Sequence, residues 1–109
     1  MNWSNVSARL RSLVGSGDAQ LAHVAQRLSV EEEALRSITG QRTSHPDLHT
    51  IAIVVRGYGL DPSWVITGRY DHATHRAALN SNTSEIAITL ARLSTSVHLD
   101  SIPQDELNS

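Results

Sequence analysis

The chain of 109 residues has no cysteine, no lysine and no phenylalanine, and only four aromatic side chains in all. The missing cysteine excludes a disulfide framework, thiolate chemistry and any zinc site built on sulfur ligands. No stretch approaches the ~18 apolar residues of a membrane span. The opening Met-Asn-Trp-Ser carries no basic region ahead of an apolar run, so the expectation is a soluble, cytoplasmic protein with no membrane partner. Because lysine is absent beside nine arginines, codon bias is the first reading of the basic composition. Chemical meaning then attaches only to particular arginines. Nine arginines stand against eleven acids, for a formal charge of −2, which gives no general attraction to nucleic acid. The surplus lies late in the chain: residues 1–80 hold eight arginines and seven acids, whereas 81–109 hold Arg92 against Glu85, Asp100, Asp105 and Glu106.

What is present is helical periodicity. A chain of this length makes one domain that buries roughly 65% of its unfolded surface. Val6, Leu10, Leu13 and Val14 recur at three- and four-residue steps after Ser4 as a possible cap, and Gly15-Ser16-Gly17-Asp18 stops that helix. A second helix is expected over 19–28 with Leu21, Val24, Ala25 and Leu28 on one face, and a third over 31–38 with Leu35 and Ile38, ended by Gly40. Pro46 fits the first position of a fourth helix carrying Leu48, Ile51, Val54, Val55 and Tyr58, with Gly57 and Gly59 ending it. Asp61-Pro62 reads as a cap and first turn for a short helix holding Trp64, Val65 and Ile66, stopped at Thr67-Gly68. A sixth helix is expected from Asp71 to Leu79.

The polar run Asn80-Ser81-Asn82-Thr83-Ser84 reads as a linker over 80–84. Beyond it, Ile86, Leu90, Leu93 and Val97 form a heptad-like stripe on a helix over 85–99, although Ile86, Ile88 and Leu90 also alternate in a strand-like way. Residues 100–109 read as a flexible tail. Residues 1–79 are thus expected to form the domain, and 85–99 an amphipathic element that either packs on it or forms a dimer seam.

The second and third helices, joined by Leu28-Ser29-Val30-Glu31, have helix-turn-helix order. From Arg9 to Gly68, with one extra residue before Pro46, the chain resembles the Cro/repressor-type (lambda-repressor-like, XRE-like) domains. The packing positions carry the likeness: Leu10, Leu13, Val24-Ala25, Leu28, Val30, Leu35 and Ile38. The most specific parts are Pro46-Asp47-Leu48-His49-Thr50-Ile51 and Gly59-Leu60-Asp61-Pro62-Ser63-Trp64-Val65-Ile66-Thr67-Gly68. The resemblance implies an all-α fold, a five-helix lambda-repressor-like domain with one or two additional C-terminal helices. It also implies a homodimeric DNA-binding transcriptional regulator.

The contact positions depart from the family pattern. Leu21 stands where the family has glutamine, Ser29 where it has the turn glycine, and Thr39 and Gln41 where it has glutamate and glycine; Arg42 keeps the family's basic residue. The DNA-contact residues implied on this chain are Gln20, Glu32, Glu33, Arg36, Ser37 and Arg42, with Arg27 also near that surface. The dimer residues are Trp64, Ile86, Leu90, Leu93 and Val97. Glu31, Glu32 and Glu33 read first as acids favoured by the positive end of a helix. In a groove walled by phosphate they would need offsetting arginines, although a glutamate accepts from cytosine N4. Arg36 reads more simply as an ion-pair partner of these glutamates.

The histidine pairs His45/His49 and His72/His75 have helical spacing but no supporting carboxylate or cysteine pattern, and read as exposed residues near helix ends rather than metal ligands. No nucleophile elbow or phosphate-cradling glycine loop is visible, so no catalysis and no cofactor is expected. Three functions stay open: a regulator binding duplex DNA, a repressor-like fold whose acidic third helix meets a protein partner with a basic surface, or an antitoxin combining the two.

Overall fold

The computed structural model describes residues 3–15, 17–40 and 47–100, with side chains through residue 95. Seven helices and no strand occur among them: α1 (Trp3–Val14), α2 (Asp18–Leu28), α3 (Glu32–Thr39), α4 (Leu48–Tyr58), α5 (Pro62–Thr67), α6 (His72–Leu79) and α7 (Thr83–Asp100). The all-α expectation holds, and the described residues form seven helices rather than five.

The core follows the apolar stripes. Val6, Leu10 and Val14 from α1 meet Leu21, Val24 and Ala25 from α2, Leu35 and Ile38 from α3, and Val65 and Ile66 from α5. Helix α4 buries Thr50, Ile51, Ala52, Val54 and Val55, more than one helical face, because α2, α3 and α7 enclose it. Two expectations at α1 are corrected. Ser4 lies inside the first turn rather than before it, and Leu13 is 40% exposed because it sits in the last turn at the edge of the buried stripe.

Three aspartates start three helices. Asp47 Oδ1 accepts from His49 N–H at 3.0 Å and Oδ2 from the Thr50 hydroxyl at 2.7 Å. Asp47 is therefore the N-cap of α4, whose first residue is Leu48, and Pro46 lies outside the described residues. Asp61 accepts from Ser63 N–H at 3.0 Å and Trp64 N–H at 3.3 Å, and also from the backbone N–H of Asp71 at 2.7 Å. One carboxylate thus caps α5 and fixes the start of α6, where Asp71 caps in turn through Thr74. The hydrogen bonds from Thr50 and Thr74 hold the Asp47 and Asp71 carboxyls below the usual carboxylate range.

Two arginines of α1 tie down helix C-termini, where backbone carbonyls lack partners. Arg9 donates to Val65 O at 2.9 Å at the end of α5, and Arg11 to Thr39 O at 3.0 Å at the end of α3. Partial burial lowers the Arg9 pKa from its ordinary value. Gly68, at φ +82°, closes α5; a Cβ there would stand 2.7 Å from the Arg9 guanidinium, so glycine serves both the backbone turn and the cap. Gly57 continues α4 instead of ending it. Its bare backbone lets Leu28 of α2 approach into the space a Cβ would occupy.

The segment expected as a linker is a three-residue corner. Asn80 and Ser81 amides bond back to Ala77 and Ala78 at 3.1 Å each, and α7 already runs at Thr83. Asn82 and Glu85 cap it reciprocally, Glu85 N–H to Asn82 Oδ1 at 2.8 Å and Asn82 N–H to Glu85 Oε1 at 3.0 Å. Helix α7 packs on α4 and α5. Ile86 and Leu90, four apart on one face, are 1% and 0% exposed, while Ile88 is 58% exposed. That separation decides against the strand alternative.

Candidate nucleic-acid interface

The site the resemblance points to is built from α2, the turn after it, and α3. Gln20 lies in the first turn of α2. Its side-chain oxygen accepts from Gly17 N–H at 3.4 Å, so the exposed amide is folded back over its own helix start.

The turn has a specific backbone form. Val30 N–H reaches Ala25 O at 3.0 Å and Ser29 N–H reaches Gln26 O at 3.4 Å, the paired closing bonds of a Schellman motif. That motif needs a left-handed residue, and Ser29 takes φ 58°, ψ 43°, alone among the described non-glycine residues in having positive φ. Helix α4 ends in the same way, with Leu60 N–H on Val55 O at 2.9 Å and Gly59 N–H on Arg56 O at 3.3 Å, but there glycine holds the left-handed position. The two-helix corner is therefore formed in full despite serine at the turn.

Helix α3 buries Leu35, Ile38 and Thr39 and turns Glu33, Arg36 and Ser37 to solvent, with Glu32 half-buried. Glu31 occupies the N-cap position without a side-chain capping bond. Arg36 Nη2 lies 3.0 Å from Asp18 Oδ1 and 2.5 Å from Glu32 Oε1, bridging the starts of α2 and α3. Its hydrogen bond to Glu32, then the Asp18 charge, raise its pKa above the ordinary value. The described face thus carries Asp18, Glu31, Glu32 and Glu33 against one arginine, a net of −3. It offers acceptors to base-edge amino groups but no guanidinium free for phosphate.

Arg42 lies outside the described residues. Arg27, expected near this surface, is placed with its guanidinium 4.9 Å over the ring of Tyr58, on the α4 side of α2. The expected dimer residues divide. Ile86 and Leu90 are occupied in the core, Leu93 and Trp64 are half-buried against it, and the Val97 side chain lies outside the described part. His75, expected to be exposed, is half-buried instead: its Nε2 lies 2.8 Å from Gly59 O and its Nδ1 2.8 Å from the Tyr70 hydroxyl, pinning α6 to the α4–α5 corner. Among the described residues no group of three His, Asp or Glu side chains could hold a metal, and no helix is long and apolar enough to cross a membrane.

The sequence reading missed the capping work of Arg9 and Arg11 and the second duty of Asp61, since each depends on helices distant in sequence meeting in space. Comparison with family models, with curated proteins and with solved structures yields no match.

Proposed function

We propose that the chain is a DNA-binding regulator of the Cro/repressor type, with α2 and α3 as its reading unit in a five-helix lambda-repressor-like arrangement. The observation that carries this reading is the α2–turn–α3 corner: a closed Schellman turn at Ser29, with Leu35 and Ile38 buried behind a helix whose other face is open. Such a corner presents the N-terminal part of its second helix to a major groove. Glu33 and Ser37 are the exposed base-edge readers, and Arg42 is the phosphate contact. The regulator acts as a homodimer on paired half-sites, for which the exposed Ile88 and the half-buried Leu93 on α7 supply apolar surface.

Fluorescence anisotropy with random duplex DNA at low salt tests this directly. A dissociation constant of ~10⁻⁴ to 10⁻⁶ M or tighter, weakening as salt rises, is expected. Replacing Glu31, Glu32 and Glu33 together by glutamine should tighten it. Absence of binding at low salt overturns the reading.

A second reading is favoured by the net −3 of the α2–α3 face and by the capture of Arg36 between Asp18 and Glu32. In it the same face docks a protein segment rich in lysine or arginine. Salt-sensitive binding of a polybasic peptide, lost in the triple glutamine variant while DNA binding stays undetectable, would support it over the first.

A further inference from the structure

A groove of about 420 Å³ opens where the end of α2, the middle of α4 and the start of α7 meet, lined by Arg27, Leu28, Ile53, Arg56, Gly57 and Thr83. Two of the six lining residues are arginines, and no carboxylate among the described residues pairs with them. Arg56 has no side-chain ion pair or hydrogen bond among the described residues. The Arg27 guanidinium carbon lies 4.9 Å over the Tyr58 ring, a contact that uses none of its N–H donors. The described acids of the three flanking helices each have a partner. Asp18 pairs with Arg36 at the opposite end of α2, Asp47 caps the start of α4, and the Glu85 carboxylate is turned back onto the Asn82 amide. Thr83 is the first residue of an 18-residue helix, whose start is closed by the reciprocal Asn82–Glu85 cap.

From this juxtaposition we propose that the groove binds a small phosphorylated anion, held by Arg27 and Arg56 with the Thr83 hydroxyl as a further donor. Planar guanidiniums match the oxygens of a phosphoryl group two at a time. Leu28 and Ile53 offer apolar contact to whatever carries it. The space is within the range of ~300 to 1,000 Å³ usual for small-ligand sites. The site is formed by the backs of α2 and α4 rather than by α3, so it stands whether or not α3 reads DNA.

The test is a two-dimensional NMR titration of the full chain at low salt with inorganic phosphate and, separately, adenosine monophosphate, reading the arginine Nε–H and Thr83 amide signals. Saturable shifts confined to Arg27, Arg56 and Thr83 are expected. Arg27→Gln and Arg56→Gln should each weaken binding about tenfold, the usual cost of a lost hydrogen bond to a charged group. Arg92→Gln, nine residues further along α7, should leave it unchanged. Retained signal dispersion in each variant establishes that it folds. Shifts that do not saturate, or that appear equally at Arg92, overturn the proposal. So does a result in which random duplex DNA moves the groove signals and neither small phosphate does.

Discussion

Helices α2 and α4 end in the same motif with different residues at the left-handed position, which makes exchanging them informative. Ser29 sits at φ 58° and Gly59 at φ 63°, each with the same two closing hydrogen bonds. A left-handed conformation costs an L-residue ~1 to 2 kcal/mol, while glycine loses an extra ~0.5 to 1 kcal/mol of chain entropy on folding. Ser29 is exposed and its side chain makes no hydrogen bond among the described residues, so nothing else is removed with it. Ser29→Gly should therefore stabilise by ~0.5 to 1 kcal/mol, a rise of roughly 2 to 8 °C in melting temperature for a domain of this size. The reverse change tests the same quantity. A Cβ at Gly59 would meet only Leu79 Cδ2, at an ordinary 3.7 Å, so Gly59→Ser should lose what Ser29→Gly gains. The double variant should return to within about 0.5 kcal/mol of the parent, the sites being separate. Circular dichroism melts of the four proteins, with Ser29→Ala as a control for the hydroxyl, decide it. If Ser29→Gly is neutral or destabilising while Gly59→Ser is harmless, backbone strain at the turn is not what separates the two helix ends.

Asp61 is 4% exposed and takes three N–H donors on two oxygens. Asp61→Ala should cost ~2 to 4 kcal/mol in urea unfolding, a lost cap plus an unsatisfied amide, and Asp61→Asn should also destabilise because its NH₂ must confront a donor. Asp47 and Asp71 have carboxyls held below the usual range by threonine hydroxyls. Their contribution is therefore present above the unfolded value near ~4 and lost as pH falls through the lower folded value. The melting temperature should fall steeply below about pH 4, and less steeply in an Asp47→Asn, Asp71→Asn double variant. Leu90→Ala should cost ~2 to 5 kcal/mol, and a chain ending at Asn80 should lose cooperative melting, because α7 fills the same core as α4 and α5; a stable, folded 1–80 fragment would refute that placement.

The helices were legible because their stripes and caps are local. Asp61-Pro62, the Gly59 and Gly68 stops and the four-residue steps of Val6, Leu10 and Val14 each act within one or two turns. What was not legible depended on partners chosen by the tertiary fold. The Ile86, Leu90, Leu93 stripe specifies an apolar face but not what covers it; only the arrangement of α4 and α5 assigns Ile86 and Leu90 to the monomer's own core. The polar run after Leu79 has the composition of a linker, yet its amides and side chains are used to close α6 and start α7. At the candidate site, the conflict between helix-turn-helix order and a Glu31–Glu33 run was visible from the sequence. The capture of Arg36 by both Asp18 and Glu32 sharpens that conflict: one partner lies four residues away on the same helix, the other on a different helix.

The disposition of the arginines turns that conflict into a measurable quantity. Of the eight described, Arg9 and Arg11 cap helix ends, Arg36 bridges two acids and Arg27 lies on Tyr58. Side chains without an ion pair or hydrogen bond among the described residues belong to Arg27, Arg56, Arg69, Arg76 and Arg92, and of these only Arg27, set over the Tyr58 ring on the α4 side of α2, belongs to α2 or α3. Docking through α3 brings Arg42, and few other cations, to phosphate. Docking through the α4, α6 and α7 side brings several. Each phosphate neutralised contributes ~0.9 to the slope of log affinity against log salt. Binding through α3 should therefore show a slope of about −1 to −2, steepened by Glu→Gln changes only in so far as they release Arg36 from Glu32. A slope near about −3, abolished by replacing Arg56, Arg76 and Arg92 and untouched by changes at Glu31 to Glu33, would show that DNA meets the other side of the molecule and that the α2–α3 corner is not its reading unit.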